Sequence, residues 1–172
     1  MEHIRDLNSI ISLIRNEVMS SNDKYWVRKL ATGDYKNLHL AIMIEPYLSL
    51  LLNGNKTIES RFSRNKIIPY QKIDKGDIII LKKSGGQIVG LFEADGIDFF
   101  NFSNGCKLEY VKEKYNDRLL IKNDFWEEKK DSMYATLIGV NHLVKLKPIN
   151  LNMANRKSWI ILENKYEQIS II

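Results

Sequence analysis

The sequence predicts an α+β fold: a small curled or closed sheet with flanking helices, preceded by an N-terminal helical extension. Residues 1–36 carry apolar side chains at helical spacing, whereas the chain from Leu38 onward consists of short β-rich segments. Helices interrupt these strands and do not alternate with them regularly, which is typical of α+β proteins. The stretch "DIIILKKSGGQIVGLFEADGI" reads as two strands joined by a tight turn, which is a strong hairpin signal.

The N-terminal extension is predicted to contain two helices. The first, up to about Met19, is indicated by apolar residues that fall on one face: Ile4, Leu7, Ile10, Ile11, Ile14 and Val18. The sequence "SSND" then ends this helix and supplies a new N-cap. The second helix ends near Gly33, because glycine tolerates the left-handed conformation that closes helices. The apolar stripe indicates contact with the core or the surface of a homodimer, with recruitment of a separate partner as the alternative.

Residues 37–172 form the predicted main domain. "LHLAIMI" is a strand, and "EPYLSLLLNG" is a helix with proline in its first turn, where no amide donor is lost, and with Gly54 just past its end. The strand "KTIESRF" and the hairpin follow. "NGCKLEYVKEKYNDRLL" reads as a helix capped by Asn104, "NDFWEEKK" as one or two helical turns, "YATLIGVNHLVKLKPI" as one long or bent strand, and "KSWIILE" as the last strand.

The composition indicates a soluble, cytoplasmic protein. The 172 residues, 44% of them apolar, suit one domain with an attachment and can supply a core. Cys106 is the one cysteine, so no intrachain disulfide can form, and the three histidines lie too far apart in sequence to suggest a local metal site. No segment approaches the roughly 18 uncharged apolar residues that a membrane span needs. We find no glycine-rich phosphate loop and expect neither a cofactor nor a metal.

The net charge favours an anionic partner. The formal charge is +5 and the isoelectric point is near 9.2. Clustered Lys and Arg bind phosphate by displacing its counterions, so nucleic acid is the first candidate. The abundance of Asn, Ile and Lys also resembles a codon bias, which is the alternative explanation of the basic charge.

The strand "KTIESRF" places three polar residues on one face. Side chains alternate along a strand, so Thr57, Glu59 and Arg61 share one side, and Lys56 lies at the turn where the preceding helix ends. Glu59 and Arg61 are close enough to form an ion pair or to hold a ligand jointly. The alternative is an ordinary solvated strand face whose exposed ion pair contributes about 0–1 kcal/mol.

The motif "GNKTIESR", followed by the turn in "DKGDIII", resembles an ASCH domain of the PUA-like superfamily. The likeness covers about residues 38–165, including "DFW", "YATLIGV" and "RKSWIILE", and leaves the N-terminal helices outside it. The resemblance implies a small β-barrel with flanking helices, whose cleft takes RNA or a modified nucleotide. It also implies that Lys56, Glu59 and Arg61 are cleft residues.

Some proteins of this kind are amidohydrolases that remove the acetyl group from acetylated cytidine. They use the motif lysine, a threonine three residues later and a distant glutamate. Here the lysine is Lys56, Glu59 stands at the threonine position, and Glu109 or Glu113 could supply the distant acid. Another branch is associated with metal-assisted cleavage of single-stranded RNA, although the sequence has no compact carboxylate cluster. A carboxylate beside Lys56 would keep its ammonium charged, which favours binding over covalent catalysis.

Other residues are further candidates for ligand contact. Trp126 and Trp159 could stack on bases, a contact that contributes about 1–3 kcal/mol per base, although each also reads as core. Of Phe125 and Trp126, one is expected to pack inside. Arg64, in the loop before Pro69, and Arg156, before the last strand, could reach phosphates or lie in solvent. We therefore expect a nucleotide-binding module, with a hydrolase acting on a modified nucleoside or on single-stranded RNA as the alternative.

Overall fold

The computed structural model of the chain describes residues 7–151 and 157–164. Its helices are α1 (Leu7–Ser20), α2 (Lys24–Thr32), α3 (Tyr47–Leu52), α4 (Leu108–Leu119) and α5 (Asn123–Glu128), with a 3₁₀ turn at Phe102–Asn104. Its strands are β1 (Asn37–Met43), β2 (Ile58–Ser63), β3 (Ile78–Lys83), β4 (Ile88–Asn101), β5 (Tyr134–Ile149) and β6 (Trp159–Asn164). None of the helices in these residues is long and apolar enough to cross a membrane.

The strands form one mixed sheet in the order β2-β5-β4-β3-β1-β6. Strands β1 and β3 are parallel, and the other neighbours are antiparallel. The pairing of β4 with β5 contains three register shifts, and bulges of this kind bend a sheet and increase its twist. The α+β class is confirmed, but a closed barrel is not, because β2 and β6 are the edges of the sheet among the described residues.

The N-terminal helices pack on one face of this sheet. Asp23 caps α2 by accepting from the amide of Trp26, and Gly33 closes it at φ 65°, as the sequence predicts. The Trp26 indole donates to the His142 carbonyl at 2.7 Å, and Lys29 forms a 2.8 Å ion pair with Glu93 of β4. The apolar face of α1 is buried in the same core as the sheet. The stripe from Ile10 to Val18 is therefore covered within the chain, whereas Ile4 lies outside the described residues. A homodimer through these helices stays a prediction, as does the boundary at residue 36.

Two further hydrophobic cores involve the other three helices. One packs α3 against Phe92, Ile138 and Trp159, and the other packs α4 and α5 against Ile58 and Leu137. The expected Asn104 cap is wrong: α4 begins four residues later with Lys107 at the cap position, and Asn104 lies in the 3₁₀ turn. The three-residue turn takes the chain from β4 to α4, so the helix starts later than its composition indicates.

Candidate functional site

A pocket of about 460 Å³ opens between the two edges of the sheet. On one side it is bounded by β2 and on the other by the end of β1 and residues 157–158, with α3, α5 and the β3–β4 turn around it. Its lining includes Ile42, Met43, Tyr47, Lys56, Glu59, Arg61, Phe62, Lys82, Ser84, Gly85, Phe125, Lys129, Lys157 and Ser158. Lys56, Glu59 and Arg61 of the sequence motif therefore meet in one cavity.

Lys56 is buried in this site and held by three polar contacts. Its side chain is 2% exposed, and its Nζ donates to the carbonyls of Ile58 at 2.6 Å and Leu119 at 3.1 Å. The Glu59 carboxylate lies 3.7 Å from the same Nζ. Two backbone carbonyls and one carboxylate thus fix the amine between the turn after α3, strand β2 and the end of α4.

Burial decides the protonation equilibrium of Lys56. It lowers the pKa of the amine below its ordinary value, because the charged form loses hydration. Glu59 opposes this shift, and the positive charge of Arg61 adds to it. Glu59 acts in the direction that the sequence predicts, but the burial effect is larger. Because of the lowered pKa, a larger fraction of Lys56 is neutral at a given pH than of an exposed lysine.

Arg61 ties the two edges of the sheet together. Its guanidinium donates to the carbonyls of Ser158 at 3.3 Å and Ile42 at 3.2 Å, and its Nη2 contacts the Met43 sulfur at 3.0 Å. Its Nε lies 3.0 Å from Glu59, yet this buried N–H makes no hydrogen bond, because it is not directed at the carboxylate. We therefore regard this contact as an ion pair and not as a hydrogen bond.

The Trp159 ring packs against the Arg61 guanidinium and is itself held by a buried chain of hydrogen bonds. The guanidinium carbon lies 4.9 Å from the centre of the Trp159 ring. The indole N–H donates to His39 Nδ1 at 3.1 Å, so His39 Nε2 carries the hydrogen that points to Asp77, also 3.1 Å away. His39 and Asp77 are fully buried, and this chain holds Trp159 beneath the guanidinium.

Aromatic rings and cations complete the pocket. The Tyr47 and Phe125 rings meet edge to face at 5.2 Å, and the Lys129 amine lies 4.8 Å from the Phe125 ring centre. Five lining side chains are cationic, namely Lys56, Arg61, Lys82, Lys129 and Lys157, whereas Glu59 is the one carboxylate among the described lining residues. Such a site favours a planar, anionic ligand.

Residues 42–148 match the family described as ASCH domain. The chain belongs to the ASCH domain family. ASCH from Zymomonas mobilis superposes with a TM-score of 0.59 at 15% identity, covering 78% of this chain and 95% of that one. Two single-residue variants of the same Zymomonas protein give TM-scores of 0.59 and 0.58 at 13% and 14% identity; each covers 79% of this chain, and the coverage of their own chains is 95% and 99%. At these identities the likeness shows the fold alone. No curated protein matches the sequence.

Several predicted site residues of this ASCH protein lie outside the pocket. The Thr57 hydroxyl accepts from Arg118, and Arg64 is exposed and paired with Asp131 at 2.9 Å. Trp126 is 4% exposed and packs against Phe62, while its neighbour Phe125 lines the pocket. Trp159 is buried beneath Arg61 and does not line the cavity.

The remaining candidates are also separate from the pocket. Glu109 and Glu113 lie exposed on α4, and neither lines the cavity, so neither stands as the distant acid of an amidohydrolase site. Arg156 lies outside the described residues. Within the described ranges, no three His, Cys, Asp or Glu side chains form a group that could hold a metal ion.

The sequence interpretation missed Lys82, Lys129, Lys157 and Tyr47 as lining residues. The signal for Lys82 was present: it follows the apolar run "DIIIL", where a buried strand is expected to continue with an apolar residue. A charged residue at such a position indicates either the end of the strand or a role for the charge.

Proposed function

We propose that this ASCH protein binds RNA or a modified nucleotide by holding one nucleotide unit in the pocket between the sheet edges. The charge of the lining carries the proposal, since five cations face one carboxylate. ASCH domains are generally linked to RNA binding. The volume of about 460 Å³ falls within the usual range of small-ligand pockets and suits a nucleotide unit better than a long strand.

The lining offers separate groups for the parts of a nucleotide. Tyr47 and Phe125 supply ring surface against which a base can pack. Glu59 has carboxylate lone pairs beyond its ion pairs with Lys56 and Arg61, so it can accept from a base N–H. The surrounding lysines then contact phosphate, which makes the expected affinity dependent on salt.

Titration of single-stranded RNA and of mononucleotides at two salt concentrations tests this proposal. Arg61→Ala should lower the affinity by roughly tenfold or more, because a charge-assisted contact is lost. Arg64→Ala is the matched control, since Arg64 is three-quarters exposed outside the pocket. Circular dichroism of both variants monitors folding. Equal affinities for the wild type and folded Arg61→Ala would refute a site at the motif, and a salt-independent affinity would refute phosphate contact.

A hydrolase acting on a modified nucleoside is the second candidate, favoured by the lowered pKa of Lys56. In this reaction Lys56 would lose or relay a proton, Glu59 would orient water or the leaving group in place of threonine, and Arg61 would stabilise developing negative charge. Incubation with acetylated cytidine, followed by mass spectrometry of free cytidine, tests it. Turnover that disappears in both Lys56→Met and Glu59→Gln would establish the enzyme, and binding without turnover would establish the binding module.

A further inference from the structure

Lys82 is a buried cation in the pocket wall that the motif does not include. It is the fifth residue of β3, and its side chain is about 6% exposed. It lies directly opposite Ile42 in the parallel pairing of β1 with β3, and the Ile42 carbonyl accepts from Arg61. Lys82 therefore lies one strand away from the residue that receives the motif arginine.

The charge of Lys82 has no counter-ion in residues 7–151 and 157–164. No carboxylate in these residues comes within 4.0 Å of its Nζ. The nearby Glu45 pairs instead with the neighbouring Lys83, at 3.6 Å. An ammonium buried without an anion is costly, and burial lowers the pKa of Lys82 accordingly. A bound anion would balance this charge at a ligand site, whereas an apolar core would leave it unbalanced.

A structural role accounts for only part of this arrangement. Nζ donates to the carbonyls of Gly86 at 2.5 Å and Lys83 at 3.3 Å, which closes the β3–β4 turn. These bonds use two of the three N–H donors of an ammonium and leave its charge unbalanced. A neutral side chain could close the same turn without the cost of a buried charge.

The turn itself offers further donors beside Lys82. Ser84 and Gly85 line the pocket, and within the described residues neither the Ser84 hydroxyl nor the Gly85 amide makes a hydrogen bond. Lys157 lines the same cavity from the other side. Lysine amines, a hydroxyl and a backbone amide are the groups that proteins use to bind phosphate oxygens.

We propose that Lys82, with the Ser84–Gly85 turn, forms a phosphate subsite, so that the pocket takes a nucleotide in preference to the corresponding nucleoside. The assignment of the phosphate to a nucleotide rests on the proposed function. The anion could be the terminal phosphate of a mononucleotide or a phosphodiester of RNA. A terminal phosphate carries more charge and is expected to bind more tightly at a single ammonium.

The test is calorimetric titration of the full chain with the four common ribonucleosides, their 5′-monophosphates, a short unphosphorylated RNA and inorganic phosphate. Wild type should bind a monophosphate roughly tenfold to a hundredfold more tightly than its nucleoside. Lys82→Met should abolish this difference by lowering the monophosphate affinity to that of the nucleoside. Lys83→Met is the matched control, because Lys83 is adjacent, exposed and outside the pocket. Methionine nearly preserves side-chain volume, and circular dichroism confirms that both variants fold.

The outcomes separate the two proposals. Nucleoside and monophosphate affinities that are equal in wild type, or a preference that survives Lys82→Met, would overturn the phosphate subsite while the proposed function stands. If no nucleoside, nucleotide or RNA binds but inorganic phosphate binds in a Lys82-dependent manner, the proposed function fails and the subsite stands. Absence of all binding overturns both. RNA that binds more tightly than every monophosphate assigns the subsite to a phosphodiester.

Discussion

Replacing Asp77 by asparagine tests the buried chain that holds Trp159 beneath Arg61. Asp77 Oδ1 accepts a hydrogen bond from the backbone amide of Asn37 at 2.8 Å. Its Oδ2 accepts from Asn37 Nδ2 and the Asp74 amide, each at 2.8 Å, and from His39 Nε2 at 3.1 Å. The side chain is fully buried, so no water can replace these bonds. Asp77→Asn keeps the shape of the group but removes its charge and one of its two acceptor oxygens.

The expected cost can be worked out bond by bond. The new amide keeps most bonds when its oxygen takes the Oδ2 position, which accepts three of the four hydrogen bonds. Its NH₂ group then faces the backbone N–H of Asn37. That lost bond leaves a buried donor unsatisfied, which costs about 1–3 kcal/mol. The three remaining bonds lose their charge assistance, at about 1 kcal/mol each. The sum is about 4–6 kcal/mol, a large share of the roughly 5–15 kcal/mol by which a domain is stable.

Urea unfolding at pH 7, followed by circular dichroism, measures this loss. With a slope of roughly 1–3 kcal/mol per molar urea, the midpoint should fall by roughly 1–6 M. Asp74→Asn is the control, because it makes the same chemical change three residues away at an exposed side chain whose ion pair with Lys36 contributes about 0–1 kcal/mol. A loss below about 1 kcal/mol for Asp77→Asn, or one equal to that of the control, would refute the reasoning.

Three further predictions follow from the fold. The hydrogen bonds that Asp77 accepts outweigh the effect of its burial and hold its pKa below the ordinary value. The contribution of Asp77 to stability should therefore be complete above about pH 4 and lost as the pH falls through the folded-state pKa. Urea midpoints measured from pH 7 to pH 2 should show this loss in wild type and not in Asp77→Asn. Gly139→Ala should destabilise by about 3 kcal/mol, the upper end of typical overpacking costs, because its Cβ would lie 1.8 Å from the Asp95 carbonyl oxygen. Gly86→Ala meets the Lys83 Cβ at 3.1 Å, which requires a shift of only a few tenths of an ångström, so its loss in urea midpoint should be smaller. Deleting residues 1–36 should expose the core that α1 and α2 cover and cause unfolding or association, detected by circular dichroism and light scattering; an equally stable, monomeric fragment would contradict the packing of these helices.

Local patterns in the sequence predicted the motif face and most elements. The period of two in "KTIESRF" is sufficient to place Glu59 and Arg61 together, because β2 is an edge strand with distinct faces. The buried run that ends at Lys82 has no such period, since β3 lies inside the sheet and is covered on both sides. Phe125 and Trp126 are adjacent on a helix of six residues, and only the packing of α5 decides which ring enters the pocket.

Local sequence patterns could not predict the long-range contacts. Asp77 and His39 are 38 residues apart, and Trp159 is 120 residues from His39, so no local spacing connects them. Whether the sheet closes into a barrel depends likewise on the separation of β2 from β6, which bulges in β4 and β5 control. The resemblance to ASCH domains supplied the expectation of a cleft with Lys56 and Arg61 in it, but not the further lining cations Lys82, Lys129 and Lys157.

The charged side chains of β2 also affect the tendency of the protein to aggregate. An edge strand can template the addition of a strand from another molecule, and natural proteins discourage this by placing charges on the inward side of the strand. Glu59, at 4% exposure, and Arg61, anchored to the opposite edge, occupy such positions on β2. A second chain that paired with β2 would have to displace Arg61 from its bond to Ser158. We therefore expect the residues proposed for ligand binding also to protect the open edge of the sheet against fibre-like self-association.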